Sequence, residues 1–170
     1  MKLKTHVITL SMVFPATHPR KGQPTNFRAA FNNAQMCAKC RKSGMCCGEC
    51  IVGYLKKHTL RKNYGYWHGI FEEINRGEAC LSVRVWSGKP YRSKQVEIMK
   101  LTREDGIGLQ KLCFPNRSTA WVDYPEKRLS VDFNYLAEND GLSIEDWCDW
   151  FRHYDLSEPL AIIHFTNFRY

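Results

Sequence analysis

Acidic residues are almost absent from the first third of the chain. Residues 1–62 contain twelve Lys and Arg but only one acid, Glu49, whereas residues 63–170 contain thirteen Lys and Arg and sixteen acids. The formal charge of +8 is therefore concentrated toward the amino terminus. A regional cationic excess of this kind is typical of surfaces that bind polyanions. A basic surface that only keeps the protein in solution is the alternative interpretation.

Long apolar runs are also missing, so no segment approaches the roughly 18 residues of a transmembrane helix. The first residues, MKLKTHVITLSMVF, place charges before apolar side chains, as a signal peptide does. However, Ile8, Leu10, Met12 and Phe14 recur at every second position, which is the period of a half-buried strand. We therefore expect a soluble, cytoplasmic protein that has no membrane partner.

Internal repeats and low-complexity tracts are lacking as well. The chain has 170 residues, of which 44% are hydrophobic, and this is enough for one sizeable core. We therefore expect a single domain over residues 1–170.

The order of helical and strand patterns predicts an α+β fold. A short helix is indicated in NFRAAFNNAQM, and a second helix in YWHGIFEEINRG, where Trp67, Ile70, Phe71 and Ile74 share one face. Alternating apolar residues predict a hairpin around the turn SGKPY, and then the short strands TAWVDY and RLSVDF. SIEDWCDWFRHY begins with a helix-capping pattern, PLAIIHFTNFRY predicts a strand running to the last residue, and residues 104–117 are ambiguous. These elements predict a mainly antiparallel sheet or a small β-barrel flanked by short helices.

A cysteine-rich insert, CAKCRKSGMCCGEC, occupies residues 37–50. Two C-x-x-C pairs can supply the four thiolates of a tetrahedral structural zinc site, although the six residues between them are fewer than usual. The predicted zinc ligands are Cys37, Cys40, Cys47 and Cys50. Cys46 could replace Cys47. Reduced thiols, or disulfides, are the alternatives to zinc.

The run KKHTLR resembles the ASCH family, small PUA-like β-barrel domains whose hallmark is Lys-x-x-Thr-(Ile/Leu)-Arg. Lys56, Thr59, Leu60 and Arg61 match it. The stretches HPRKGQPTNF, RVWSGKPYRSKQV, LAENDGLSIEDWCDWF and IIHFTNFRY also resemble ASCH-type proteins encoded by bacteriophages and gut bacteria. The resemblance implies a small mixed or antiparallel PUA-like barrel, interrupted here by the cysteine-rich insert.

The same resemblance implies one of two activities. Some ASCH-like domains are thought to bind RNA in the cleft of the barrel. A compact bacterial branch resembles an amidohydrolase that removes the acetyl group of acetylcytidine with a lysine, a threonine and a glutamate. Lys56 and Thr59 match that lysine and threonine, and the place of the glutamate falls on Asp140, with Glu138 as the alternative. Because Asp is one methylene shorter than Glu, its reach is in question.

The chemistry of these residues is consistent with that assignment. Cations beside Lys56 lower the pKa of its amine, so a neutral fraction could act as a base toward the Thr59 hydroxyl. Asp140 could orient the lysine, and Arg61 could stabilise an oxyanion or a phosphate. In a regular strand Lys56 and Thr59 would point to opposite faces, so their cooperation requires a turn or bulge.

Aromatic residues beside cations are typical of sites that hold unpaired nucleobases. The predicted ligand-binding residues are Lys57, His58, Arg61, Lys62, Tyr64 and Tyr66. Our first hypothesis is a module that binds RNA, another nucleic acid or a modified nucleotide in a basic cleft. The alternatives are a small amidohydrolase that acts on acylated nucleosides, and a zinc-stapled adaptor that binds another protein. If the basic run is only a solvated surface, none of these three functions follows from it.

Overall fold

The computed structural model describes residues 2–43, 54–124 and 127–170. The elements of this part of the chain are, in order, β1 (Lys4–Leu10), α1 (Phe27–Ser43), β2 (His58–Arg61), α2 (Tyr64–Asn75), β3 (Ala79–Trp86), β4 (Gln95–Leu101), a 3-10 turn (Arg103–Asp105), β5 (Gly108–Asn116), β6 (Thr119–Tyr124), β7 (Lys127–Val131), α3 (Phe133–Asp140), α4 (Ile144–Phe151) and β8 (Leu160–His164). The expected α+β class is confirmed.

The described strands form two sheets. The smaller sheet has the order β1-β3-β4, and the larger has the order β2-β8-β5-β6-β7. All neighbouring strands are antiparallel except β1 and β3, which are parallel. The described strands do not close into a barrel. Instead β1 and β2 are edge strands of different sheets, and the Arg61 guanidinium links them by donating to the Thr9 carbonyl at 2.7 Å.

Several elements follow directly from the local pattern of the sequence. Helix α2 buries Trp67, Ile70, Phe71 and Ile74, the four residues of the expected stripe. Strands β3 and β4 form the expected antiparallel hairpin, and the two expected short strands, β6 and β7, pair antiparallel with each other. Buried side chains from both sheets and all four described helices pack into one hydrophobic cluster.

Other elements differ in length from the expectation. Helix α1 does not end near Met36 but continues to Ser43. The last strand ends at His164 because the chain turns there, and the backbone N–H of Phe165 donates to the Lys57 carbonyl at 2.8 Å. The ambiguous stretch from residue 104 contains β5, which pairs with β6 and β8. No helix among the described residues has the length and apolar composition needed to cross a membrane.

Candidate functional site

Lys56 lies in the interior, immediately before β2. Its backbone N–H donates to the Ala30 carbonyl of α1 at 3.0 Å, and its side chain is fully buried. The ammonium group lies 2.5 Å from the Asp140 carboxylate Oδ1 and 2.7 Å from the Asp140 carbonyl oxygen. It also lies 3.8 Å from the centre of the Phe27 ring, within the range of a cation–π contact. Lys56 therefore has a fixed position.

Asp140 is presented to Lys56 by the end of helix α3. Gly141 follows with φ of 80°, a left-handed conformation that glycine adopts without strain and that ends the helix. The ideal Cβ of any larger residue at this position would lie 3.2 Å from the Lys56 Cβ. Because the helix ends beside Lys56, the carboxylate of Asp140 contacts the ammonium group directly, although the side chain is one methylene shorter than that of glutamate. Glu138, the alternative carboxylate, lines a different pocket, together with Lys57.

Burial controls the protonation of this pair. Burial lowers the pKa of Lys56 and is only partly opposed by the negative charge of Asp140 and by the hydrogen bond to it. Burial likewise raises the pKa of Asp140, against the effect of Lys56. The sequence predicted the direction for Lys56 from its cationic neighbours, but burial is the main cause, and Arg61 contributes least among the stated causes. Both shifts favour transfer of the shared proton from Lys56 to Asp140.

Thr59 and Arg61 lie on β2 and face the same cavity as the pair. Thr59 is buried, and Arg61 is half-buried at the junction of the two sheets. Because β2 begins at His58, Lys56 precedes the strand and is not bound by its alternation. Strand alternation therefore does not force Lys56 and Thr59 onto opposite faces, and both residues line the cavity.

The cavity has a volume of about 590 Å³ and lies between the edge strands β1 and β2. Aromatic rings form much of its wall, among them Phe14, Phe27, Trp67, Trp86, Tyr91 and Trp150. Its size is in the range of pockets that hold small organic ligands, and Lys56, Thr59, Arg61 and Asp140 all contribute to its lining. The arrangement can hold a planar ring between aromatic side chains, with donors and an acceptor at the edge of that ring.

The other predicted binding residues do not line this cavity. Lys57 lies over the Phe168 ring at 4.8 Å, in a separate pocket. His58 is fully buried, and its Nε2 lies 2.6 Å from the Tyr170 hydroxyl. The remaining residues of the prediction are placed elsewhere: Lys62 and Tyr64 line a third pocket, and Tyr66 is exposed.

Sequence reasoning overlooked Trp86, the last residue of β3, and Tyr91, in the middle of the β3–β4 connection. Their ring centres are 5.3 Å apart, and both rings line the cavity. The available signal was an aromatic residue on each side of a glycine and a proline in WSGKPY. That pattern identifies a turn, but it does not show which cavity the turn approaches.

Two of the predicted zinc ligands, Cys37 and Cys40, lie on helix α1 and not in a turn. Residues three apart share a face of a helix, so the two side chains lie on the same side of α1. The partners Cys46, Cys47 and Cys50 fall outside the described residues, and the zinc site stays a prediction. Within residues 2–43, 54–124 and 127–170, no cluster of three or more His, Cys, Asp or Glu has the arrangement of a metal site.

Comparison of the chain with protein-family models, curated proteins and solved structures gave no match. The residues of the cavity and their geometry are therefore the basis on which a function can be inferred.

Proposed function

We propose that the protein binds one nucleobase, carried by a nucleotide or a nucleic acid, in the cavity between β1 and β2. The observation that carries this proposal is the convergence of Lys56, Thr59, Arg61 and Asp140 on one aromatic-walled cavity. The aromatic walls suit the faces of a base, and the charged groups suit its polar edge and its phosphate.

The ASCH-like run KKHTLR supports the same function, because all four of its matching residues, Lys56, Thr59, Leu60 and Arg61, line the cavity. Under this proposal the two sheets correspond to the two sides of a PUA-like barrel. The hydrogen bond from Arg61 to the Thr9 carbonyl would then mark the line along which the sides meet.

The binding proposal is tested by calorimetric titration of the protein with cytidine, acetylcytidine, uridine, adenosine and guanosine and with their 5′-monophosphates. Tyr91→Ala removes a cavity wall at a side chain that is 90% exposed, so the fold is expected to survive. Stacking of one base on an aromatic residue contributes about 1–3 kcal/mol, which predicts a loss of affinity of about 5-fold to 150-fold.

Tyr66→Ala is the matched control, because Tyr66 is exposed on α2 and does not line the cavity. We expect it to leave affinity unchanged. If the wild-type protein binds no compound of the panel, or if both substitutions weaken binding equally, the cavity is not a nucleobase site.

A second candidate function is hydrolysis of an amide on the bound base. The observation that favours it is the buried contact of 2.5 Å between Lys56 Nζ and Asp140 Oδ1. After Lys56 passes its proton to Asp140, the neutral amine can accept the proton of the Thr59 hydroxyl. The Thr59 oxygen then bonds to the amide carbon, and the carbonyl oxygen gains the negative charge near Arg61.

The step is completed when the protonated Lys56 donates its proton to the leaving amine nitrogen and the carbon–nitrogen bond breaks. The acyl ester left on Thr59 is then cleaved by water, which returns the hydroxyl and releases the carboxylic acid. Thr59→Val preserves the shape of the buried side chain and removes the hydroxyl. It should abolish release of free nucleoside from acylated cytidines and adenosines, measured by mass spectrometry, while nucleoside binding remains. Absence of turnover by the wild-type protein would contradict hydrolysis and leave base binding standing.

A further inference from the structure

The β3–β4 connection, residues 87–94, lies at the mouth of the cavity. Pro90 and Tyr91 from this turn contribute to the cavity wall. The turn has a defined structure: the backbone N–H of Ser87 donates to the Lys94 carbonyl at 2.9 Å, and that of Arg92 donates to the Lys89 carbonyl at 3.1 Å. Ser93 reinforces it, because its hydroxyl accepts from Gly88 and donates to Lys89.

Tyr91 has a φ of 62° in this turn. A bulky residue rarely adopts this left-handed conformation, which costs free energy and is often found where a side chain contacts a ligand. Here the conformation coincides with placement of the Tyr91 ring on the cavity wall beside Trp86.

The turn is also rich in positive charge, although it lies outside the basic first third of the chain. Lys89, Arg92 and Lys94 are exposed, and residues 87–96 contain no acid. None of the ion pairs found in the described part of the chain involves these three cations. Lys89 and Arg92 directly flank the two residues that line the cavity.

We propose that the β3–β4 turn binds the phosphodiester backbone of a single-stranded nucleic acid, and that it does so while the cavity holds one of the bases. This inference rests on the proposed function, which it extends by naming the carrier of the base. The cavity accepts a flat ring, and cations immediately outside it match the phosphates on either side of the bound nucleotide. Arg and Lys neutralise backbone phosphates in this way, and stacked aromatic residues hold the bases.

Three unpaired cations on a turn can also be an ordinary solvated surface, and the experiment has to separate the two cases. The test variant carries Lys89→Gln, Arg92→Gln and Lys94→Gln. The matched control carries Lys100→Gln, Arg117→Gln and Lys127→Gln, at exposed positions that do not line the cavity. Each variant removes three charges from a formal charge of +8.

The probes are fluorescein-labelled heptanucleotides of uridine, cytidine and adenosine, as RNA and as DNA, together with the matching nucleosides and 5′-monophosphates. Affinity is measured by fluorescence anisotropy, and by calorimetry for the small ligands, between about 50 and 200 mM salt, the range over which phosphate contacts change affinity strongly. A single strand contributes a slope of about −0.7 per neutralised phosphate to the plot of log K against log salt.

We expect the wild-type protein to bind a heptanucleotide more tightly than the nucleoside. The test variant should make the slope shallower by about 2 for three lost contacts. The control should keep the wild-type slope. Equal slopes with RNA and DNA indicate recognition of the phosphates alone, and a preference for RNA adds a contact to the 2′-hydroxyl.

Three results would overturn the inference. If both variants make the plot of log K against log salt shallower by the same amount, the net charge of the protein explains the salt dependence and the turn is not a specific site. If a heptanucleotide binds no better than its nucleoside, the turn is not a phosphate site, and only the base site in the cavity is supported. A 5′-monophosphate that reproduces the full gain would exclude recognition of the chain. The proposed function fails separately, if Tyr91→Ala leaves nucleoside affinity unchanged.

Discussion

The buried pair of Lys56 and Asp140 gives a quantitative prediction. Lys56 is fully buried and donates two hydrogen bonds to Asp140, which is 3% exposed. Removing one member of such a pair leaves the other charge uncompensated and costs about 3–5 kcal/mol. We therefore expect Lys56→Met and Asp140→Asn each to lower the free energy of unfolding by about that amount. The double variant should lose far less than the sum of the two.

The two single variants should also respond to pH in opposite directions. Lys56→Met leaves a buried carboxyl whose pKa is raised by burial. Above about pH 4 the unfolded chain loses a proton that the folded state keeps, so stability falls as pH rises, by up to about 1.4 kcal/mol per unit. Asp140→Asn leaves a buried amine whose pKa is lowered from 10.5 by burial. There the unfolded chain binds the extra proton, so stability rises with pH until about 10.5.

The assay is urea unfolding followed by tryptophan fluorescence at several pH values between about 5.5 and 8.5, with the slope on denaturant checked for constancy. The exposed pair of Arg76 and Glu78, 2.9 Å apart, is the control. Because water screens this exposed pair, its single variants Arg76→Met and Glu78→Gln should each leave the free energy of unfolding close to that of the wild type. Losses at Lys56 and Asp140 as small as those of the control pair, or pH slopes of the same sign after the wild-type slope is subtracted from each, would refute the buried pair.

Two further predictions concern the surroundings of the site. His58 and His164 are buried, and burial holds the pKa of each well below 6.5, so the unfolded chain takes up protons that the folded state does not. Stability should therefore fall as pH drops below about 6.5, by up to about 2.7 kcal/mol per unit for the two groups together, and a flat urea-unfolding profile between pH 5 and 7 would contradict this. Gly141→Ala should cost about 1–2 kcal/mol in the same assay, because φ is positive there and the new Cβ crowds Lys56. Gly69→Ala, where no atom beyond the neighbouring residues and the backbone of α2 lies within 4 Å of the new Cβ, should not destabilise the protein.

Local periodicity explains why the helices and hairpins could be predicted. The buried face of α2 follows from residues three and four apart, and the β3–β4 hairpin follows from alternation around a glycine- and proline-containing turn. These signals lie within a few residues of each other, so they do not depend on how the sheets pack. The length of α1 was missed because its last turns are rich in Lys, Arg and Cys and carry no apolar stripe.

The composition of the site could be predicted only in part. The resemblance of KKHTLR to the ASCH run singles out Lys56 and Thr59, and Asp140, which is 84 positions from Lys56, comes from the same resemblance. The aromatic wall depends on the segment after β1, the β3–β4 turn and helices α1, α2 and α4 meeting around one cavity, which no local pattern describes. Charge density in the first third points to the cavity only in part, because Lys56 and Arg61 line it whereas Lys57 and Lys62 line other pockets. The exposed cations of residues 89–94 lie outside that third.

A buried lysine–aspartate pair adds little to stability, since apolar residues of similar volume would serve as well or better. Lys56 and Asp140 line a cavity shared with Thr59 and Arg61, so the pair lies where a ligand bound in that cavity would meet it. Away from water, a lysine held against a carboxylate can release and recover a proton beside a bound ligand. If the Lys56→Met and Asp140→Asn double variant remains stable but no longer binds or cleaves its ligand, the pair serves the cavity and not the fold. If it keeps both properties, the pair is dispensable and the nucleobase site has to rest on the aromatic wall and Arg61.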